Sequence, residues 1–205
     1  LTLIDGHALA YRQYFAMQAG GRFTTSTGEP TGAIYGFARS LIDLLSMDAP
    51  TEYLAVVFDQ GMSGRELELP AYKSTRAKME DSLIQQMDRI RQLVSAFNIP
   101  ILELDGYEAD DVIGSLVAPA LDAGVEVYIV TGDRDLLQLV QEHVIVELPD
   151  RSGGGVVIFD NAAGVIAKMG VRPEQIPDLK GLAGDTSDAI PGVKGVGEGT
   201  AVPLL

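Results

Sequence analysis

Three acidic residues of this chain follow short apolar segments. The pairs of segment and acid are Leu1–Ile4 with Asp5, Leu54–Phe58 with Asp59, and Val127–Val130 with Asp133. Short continuous apolar segments bounded by turn residues are typical of strands that are buried on both faces, as in parallel sheets. Ligands of open α/β sheets bind outside the carboxyl ends of the strands, so the three acids are expected to share one site at that edge.

Further acids occur in closely spaced groups: Glu108 with Asp110 and Asp111, Asp133 with Asp135, and Asp185 with Asp188. Two carboxylates about 4 Å apart repel each other by roughly 4 kcal/mol at an effective dielectric constant near 20, so such a cluster needs cations. Oxygen ligands without His or Cys favour Mg²⁺ or Mn²⁺. Two such ions suit phosphate-ester hydrolysis, because one activates water and the other stabilises the leaving oxygen.

Each acid also has a simpler interpretation as a helix cap or as a first-turn charge that complements the helix dipole. A helix dipole stabilises one charge by about 0.3–1 kcal/mol, which is less than the repulsion that a second acid adds. The pairing of acids therefore favours metal binding. His7 and His143 are the only histidines, and neither is expected to be a ligand. Without Cys or a Ser–His–Asp set, a side-chain nucleophile is not expected.

The composition suits one α/β domain with a small appended module. The chain has 205 residues, 46% of them hydrophobic, no Cys, and a net charge of −14. Absence of Cys agrees with a reducing compartment, and no apolar run approaches the 18 residues that a membrane span needs. The negative charge argues against nucleic acid only weakly, since bound metal ions would invert the local charge. Six of the fifteen bases also fall in one stretch: Arg65, Lys73, Arg76, Lys78, Arg89 and Arg91.

Apolar patterning predicts alternating strands and helices. We expect strands at 1–4, 53–58, 100–104, 126–130, 144–148 and 156–159, and helices at 7–17, 31–47, 81–97, from 108, and at 134–140. Pro119 is expected to kink the helix from 108 or to end it early. Gly153–Gly155 predicts a hairpin turn, and 59–80, without periodicity, predicts a functional loop. Repeated alternation predicts a mostly parallel sheet covered by helices on both faces.

A glycine-rich segment lies near the end of the chain, from Ile190 to Thr200. Glycines at 192, 195 and 197 would expose backbone N–H groups ahead of a helix, an arrangement that suits phosphate oxygens. The alternative is a plain glycine-rich loop.

The motifs of this chain occur in the order and spacing of one known family. They are Leu3-Ile4-Asp5-Gly6-His7, Phe58-Asp59, Tyr72-Lys73-Ser74-Thr75-Arg76, Gly106-Tyr107-Glu108-Ala109-Asp110-Asp111, Thr131-Gly132-Asp133-Arg134-Asp135 and Gly184-Asp185-Thr186-Ser187-Asp188. With them the chain resembles, over nearly its whole length, the 5′ nuclease (flap endonuclease-like) domain of bacterial DNA polymerase I. The resemblance implies a PIN-like α/β nuclease core over 1–160, with a basic arch segment near 60–90. It also implies a truncated helix–hairpin–helix part over 161–205.

The resemblance also implies a role for each matching residue. The first metal ion would be held by Asp5, Asp59, Glu108, Asp110 and Asp111, and the second by Asp133, Asp135, Asp185 and Asp188. The catalytic residues that meet the scissile phosphate and the 5′ strand would be Lys73 and Arg76. Further DNA contacts would come from Arg12, Arg65, Gly192, Val193, Gly195, Gly197 and Thr200. A K⁺ ion is a further expectation at the helix–hairpin–helix.

Three residues depart from the family pattern. Ala189 stands where the family usually has Asn, Gly199 where it has Lys, and Pro203 where a helical residue is expected. All the expected acids are present, so these departures put the grip on duplex DNA in question more than the chemistry.

The resulting expectation is a Mg²⁺-dependent 5′→3′ exonuclease and 5′-flap endonuclease that hydrolyses DNA phosphodiesters with two ions, as in replication and repair. Its partners would be DNA with a free 5′ end or flap and a fused polymerase domain. We expect a monomer in the bacterial cytoplasm, with the nucleoid and away from membranes. One alternative is a phosphatase of the haloacid dehalogenase type, although that type needs Asp where this chain has His7. The other is a non-catalytic DNA-structure-binding protein, which would tolerate loss of the acids.

Overall fold

The computed structural model describes residues 1–18, 23–46, 51–150 and 155–205. The strands are β1 (Thr2–Asp5), β2 (Leu54–Val57), β3 (Ile101–Leu102), β4 (Val127–Val130), β5 (Val144–Pro149) and β6 (Val156–Phe159). The α-helices are α1 (Gly6–Gln18), α2 (Gly32–Leu45), α3 (Arg65–Glu68), α4 (Asp81–Ala96), α5 (Ala109–Asp122), α6 (Ala162–Met169), α7 (Ile176–Ala183) and α8 (Glu198–Ala201). Three 3₁₀ helices cover Arg134–Leu139, Pro173–Gln175 and Val202–Leu204.

The six strands form one sheet in the order β3-β2-β1-β4-β5-β6. The first five strands in this order are parallel, and β6 pairs antiparallel to β5 at the edge. Leu3 of β1 lies opposite Ala55 of β2 and Ile129 of β4, so the central strand is paired on both sides. The predicted mostly parallel sheet is therefore confirmed. The expected hairpin turn at 153–155 falls largely on residues outside the described ones.

Two apolar cores cover the two faces of the sheet. Leu3 of β1 packs with Ile113 and Val117 of α5 on one face. The next residue, Ile4, packs on the other face with residues of α1, α2 and α4, Phe37 and Ile90 among them. Because successive side chains of a strand point to opposite faces, one short apolar strand supplies both cores. The predicted burial of β1 on both faces is confirmed.

The expectation that Pro119 would end its helix early is wrong, because α5 continues to Asp122. Proline removes one backbone N–H, and the carbonyl that loses its partner belongs to Ser115. Ser115 and Pro119 are both exposed, so water can hydrate that carbonyl, while buried Ile113 and Val117 hold the opposite face of the helix in the core.

Two other predicted elements differ from the structure in kind or extent. The helix expected at 134–140 is a 3₁₀ helix, and the strand expected at 100–104 is reduced to Ile101–Leu102. Within the segment that was expected to form the arch, 81–90 belongs to α4, whose Leu83, Met87 and Ile90 are buried. Among the described helices, none has the length and apolarity needed to cross a membrane.

Candidate metal centre and DNA-contact residues

Asp5 ends β1 and is buried, with 6% of its surface exposed. Its Oδ1 accepts a hydrogen bond from the Ala8 backbone N–H (2.9 Å), so it caps α1, and its Oδ2 accepts one from the Thr131 hydroxyl (2.9 Å). Burial, together with the charges of Asp59 and Asp133, raises the pKa of Asp5 to about 6 against the lowering effect of these hydrogen bonds. The capping and metal interpretations of this residue are therefore compatible, because capping uses one oxygen and leaves the charge unpaired.

Asp110, in the first turn of α5, faces the same carboxylates. Burial raises its pKa to about 8, and the charges of Asp5, Asp133 and Asp59 contribute in the same direction. These four acids come from the ends of β1, β2 and β4 and from the start of α5, which the parallel sheet brings to one edge. They form a pocket of repelling negative charge, and a cation there would remove the repulsion.

Asp59 is held in this group by two backbone contacts. Its Oδ1 accepts a hydrogen bond from the Ala109 N–H at 2.7 Å, and its own N–H donates to Nδ1 of His7 at 3.2 Å. Burial lowers the pKa of His7, which favours the neutral ring that this acceptor role requires. His7 therefore orients Asp59.

Asp135, Asp185 and Asp188 form a second group, in which carboxylate oxygens from all three lie within 4.8 Å of one another. Within the described part of the chain, no other three His, Cys, Asp or Glu side chains meet this spacing. Oxygen ligands of one Mg²⁺ or Mn²⁺ ion have comparable separations, so the donor set fits a hard divalent cation. Asp133, which the sequence assigned to this second set, is placed electrostatically with Asp5 and Asp110 and also beside Asp135.

Lys180 of α7 was missed by the sequence reasoning. Its ammonium forms ion pairs with both Asp135 and Asp185. Burial alone would raise the pKa of Asp185, but hydrogen bonds from Lys180 and Ser187 lower it to about 2. A lysine in the last turn of a short helix is ordinarily explained by its interaction with the helix dipole. The sequence pattern around Lys180 therefore does not indicate that it pairs with Asp135 and Asp185.

Asp111 differs from the neighbouring Asp110, because it is paired with a base. Arg65 donates two hydrogen bonds to its carboxylate, at 2.7 and 2.6 Å, and these lower the pKa of Asp111. Arg65 also lies 3.6 Å from Glu108. The structure therefore places Asp111 at the rim of the acidic group with its charge already compensated.

Two bases of the predicted arch segment contact acids of these groups. Lys73 lies 2.7 Å from Glu108, and the Nε of Arg76 donates to Asp188 at 3.1 Å. The backbone N–H of Lys73 donates to the Asp188 carbonyl (3.0 Å), and Lys73 itself has a left-handed φ of 53°. A cavity of about 530 Å³ lies between these groups, and its lining includes Arg65, Lys73, Glu108, Asp110, Asp111, Asp133, Asp135 and Asp188.

Arg12 is not brought to this cavity. It lies 3.9 Å from Glu147, within β5, and Glu147 in turn accepts a hydrogen bond from the Tyr128 hydroxyl at 2.7 Å. Its predicted contact with DNA stays a prediction.

Within the glycine-rich segment, the backbone hydrogen bonds involve N–H groups other than those of the three glycines from which exposed N–H groups were expected. The Val193 N–H donates to the Leu182 carbonyl (2.8 Å) and the Thr200 N–H to the Gly197 carbonyl (2.9 Å). A phosphate contact from exposed Thr200 must therefore use its hydroxyl. Gly192 and Gly195 have φ of 63° and 84°, which only glycine adopts readily.

Gly184 and Gly192 lie back to back at the base of the loop that carries Asp185 and Asp188. A Cβ on Gly192 would collide with the Gly184 backbone, and Asp185 and Ile190 exchange backbone hydrogen bonds of 2.8 Å. Within this loop Ala189 has a left-handed φ of 57°, a conformation that Asn tolerates better than Ala. The departure from the family pattern at Ala189 therefore has a local conformational cost.

The structure thus gathers the predicted acids at one edge of the sheet, in two adjoining groups with Glu108 and Asp111 at the rim. It brings Arg65, Lys73 and Arg76 to them and leaves Arg12 apart.

The other two departures from the family pattern lie near the end of the chain. Gly199 is exposed in α8, and Pro203 lies in the last 3₁₀ helix at a position where a missing N–H is tolerated.

Two family models match the chain. One, described as the 5′-3′ exonuclease N-terminal resolvase-like domain, matches residues 1–170, and the other, the 5′-3′ exonuclease C-terminal SAM fold, matches 171–205. All of the chain aligns with DNA polymerase I of Chloroflexus aurantiacus at 48% identity and with that of Thermus thermophilus at 44%. The chain spans 22% and 24% of those proteins.

Solved structures give the same fold. The T5 D15 protein co-crystallised with metal ions superposes with a TM-score of 0.75 at 19% identity, over 99% of this chain and 73% of that one. The T5 5′-exonuclease with bound divalent zinc gives 0.74 at 21% identity, over 100% and 73%. The catalytic core of Rad2 with a DNA substrate gives 0.61 at 19% identity, over 99% and 60%. The chain belongs to the 5′-3′ exonuclease family, and its fold is that of a DNA nuclease domain.

Proposed function

We propose that this domain hydrolyses DNA phosphodiesters at 5′ ends and at the base of 5′ flaps, with two bound divalent ions, Mg²⁺ or Mn²⁺. The observation that carries the proposal is the convergence of acids from three parallel strands and from α5 on one edge, where Asp5 and Asp110 repel their neighbours without a paired base. Such a group is stable in its ionised form only with cations.

Two sets of residues would hold the ions. Asp135, Asp185 and Asp188 have the spacing for one ion, and Asp5 and Asp110, whose pKa values are raised by burial and by neighbouring acids, would hold the other. Bound there, the ions would supply an activated water and stabilise the leaving oxygen. Lys73, which lines the cavity, and Arg76, which pairs with Asp188 of its lining, would then exchange their carboxylate partners for the oxygens of the scissile phosphate.

The DNA substrate is proposed from the family and from the arrangement of bases. A flap endonuclease of bacteriophage T5 has been solved as a pseudo-enzyme–product complex with DNA and metal ions, and this chain shares its fold with a TM-score of 0.73 at 21% identity. In our chain the bases at the cavity come from 65–76, beside the sheet edge that bears the acids. We further propose that the domain works within a longer polymerase chain in the bacterial cytoplasm, as its DNA polymerase I relatives suggest.

Cleavage of a labelled 5′-flap substrate with Asp133→Ala tests this proposal. We expect cleavage to fall by at least a hundredfold, because this carboxylate lies between the two acidic groups, while most DNA binding is kept. Asp122→Ala, at the exposed end of α5, is the matched control and should cut normally. Normal cleavage by Asp133→Ala would refute the site. Turnover of para-nitrophenyl phosphate in place of flap DNA would point to a small-molecule phosphatase, and absence of divalent binding would point to a non-catalytic DNA binder.

A further inference from the structure

Lys180 stands between two of the three acids whose spacing fits a divalent ion. Its ammonium contacts Asp135 and Asp185 at once. The side chains of Lys180 and Asp135 are each 25% exposed, and that of Asp185 is 11% exposed, so this contact is largely shielded from water. Shielded ion pairs of this kind are stronger than pairs on the open surface.

The third acid of the group, Asp188, is also neutralised, by Arg76. Two bases of the chain, Lys180 and Arg76, therefore compensate most of the charge of the three acids in the second group and leave one negative charge over. The group around Asp5 and Asp110 is different, because no ion pair to either of these two acids occurs in the described residues. The two halves of the centre thus begin from different electrostatic states before any ion binds.

We propose that Lys180 is an internal counter-ion of the second metal site, and that its ammonium must leave the Asp135–Asp185 pair before a divalent ion can bind there. This inference rests on the two-ion function proposed above. An ammonium and a divalent ion compete for the same oxygens and repel each other at this distance. Lys180 therefore weakens binding of the second ion, and the first ion binds beside Asp5 and Asp110, which form no ion pair within the described residues, although their neighbours Glu108 and Asp111 do.

The role assigned to Lys180 is that of a positioning residue that sets ion affinity. It holds Asp135, from the 3₁₀ helix after β4, next to Asp185, from the loop after α7, when no ion bridges them. Without it the two carboxylates would repel, so the ion-free protein gains from the lysine while the ion-bound protein does not need it. Loss of Lys180 should therefore tighten ion binding and destabilise the ion-free fold.

Mn²⁺ binding to the DNA-free protein tests the inference, measured by the electron paramagnetic resonance signal of free Mn²⁺. In wild type we expect one tight site and one weak site. In Lys180→Met we expect the weak site to bind at least tenfold more tightly, and Lys180→Arg, which keeps the charge, should behave as wild type. The matched control is Lys168→Met, which removes the same charge from the exposed surface of α6.

Two further measurements test whether the tighter Mn²⁺ binding of Lys180→Met arises at the Asp135–Asp185 pair. In Lys180→Met with Asp185→Asn, the gain in the second site should disappear, because one of its oxygens has lost its charge. Thermal melting should show a lower Tm for Lys180→Met in chelator and a larger rise on adding Mn²⁺ than in wild type, which also reveals whether the variant folds.

Three results would overturn the inference. Equal Mn²⁺ affinities in wild type and Lys180→Met would refute the role of Lys180 while leaving the two-ion function intact. Weaker binding in Lys180→Met would show that the lysine supports the ion rather than competing with it. If neither protein bound a second ion, the two-ion function would fail together with the inference.

Discussion

Asp110 and Asp111 are neighbours in the first turn of α5, yet the structure predicts opposite effects when each is replaced by Asn. Burial and neighbouring acids raise the pKa of Asp110 to about 8, whereas Arg65 lowers the pKa of Asp111. A carboxyl with a raised folded-state pKa binds a proton more tightly in the folded protein than in the unfolded chain. The ion-free protein should therefore lose stability as pH rises from about 4 to about 8.

The size of the effect of Asp110→Asn follows from the two pKa values. At pH 7 folding of the ion-free protein protonates Asp110, whose ordinary pKa is 3.8, and this costs at most about 4 kcal/mol at 1.36 kcal/mol per pH unit. Asn has nearly the same shape as Asp but carries no charge in either state, so its folding does not include the cost of protonation. For a chain of this size 1 kcal/mol corresponds to about 2–4 °C in Tm, so we expect a gain in Tm of up to roughly 8–16 °C.

Thermal unfolding in chelator at pH 4 and pH 7 is the assay for this prediction. Asp110→Asn should melt higher than wild type at pH 7 and equally at pH 4, where the wild-type carboxyl is protonated in the folded state. Asp111→Asn should melt lower at pH 7, because it leaves Arg65 without its carboxylate partner. Added Mn²⁺ should stabilise wild type more than Asp110→Asn. The reasoning is refuted if Asp110→Asn is no more stable at pH 7, or if its gain persists unchanged at pH 4.

Three further predictions concern single contacts. Ala189→Asn should raise the free energy of unfolding by about 0.5–1 kcal/mol, because Asn tolerates the φ of 57° better than Ala does. Chemical denaturation measures this change. As a control, Ala120→Asn in helix α5 should lower the free energy of unfolding. Gly192→Ala should lower Tm by several degrees and weaken duplex binding, since its Cβ would collide with the backbone at Gly184; a normal Tm would contradict this packing. Thr131→Val should lower the free energy of unfolding by about 1–3 kcal/mol and weaken Mn²⁺ binding, because Asp5 loses a buried hydrogen bond. Unchanged Mn²⁺ affinity would show that this hydrogen bond does not orient Asp5.

The sheet and the position of the acids could be predicted from sequence because both follow from short-range rules. A buried strand such as 1–4 is a continuous apolar segment, and its last residue must lie at the carboxyl edge of the sheet, so Asp5 and Asp59 could be placed without coordinates. The helix after Glu108 then delivers Asp110 to the same edge.

The pairing of charges could not be predicted in this way. Asp110 and Asp111 look equivalent in sequence, but only Asp111 meets a base, because Arg65 arrives from a segment with no periodicity. Lys180 reaches Asp135 from 45 residues away, and that contact depends on how α7 packs against the 3₁₀ helix Arg134–Leu139. Similarly, the continuation of α5 past Pro119 depended on which face of the helix meets the core, which the local rule for proline does not include.

The closed loop between Gly184 and Gly192 connects two of the acids of the second group to the glycine-rich segment. Asp185 and Asp188 lie inside this loop, and the glycine-rich segment begins where it closes, with the Val193 N–H tied to Leu182 of α7. Under the proposed function, this short connection fixes the distance between the bound duplex and the scissile phosphodiester. Lengthening the loop by one residue should then move the incision along the strand or scatter it over neighbouring nucleotides, even where the rate of cutting is preserved.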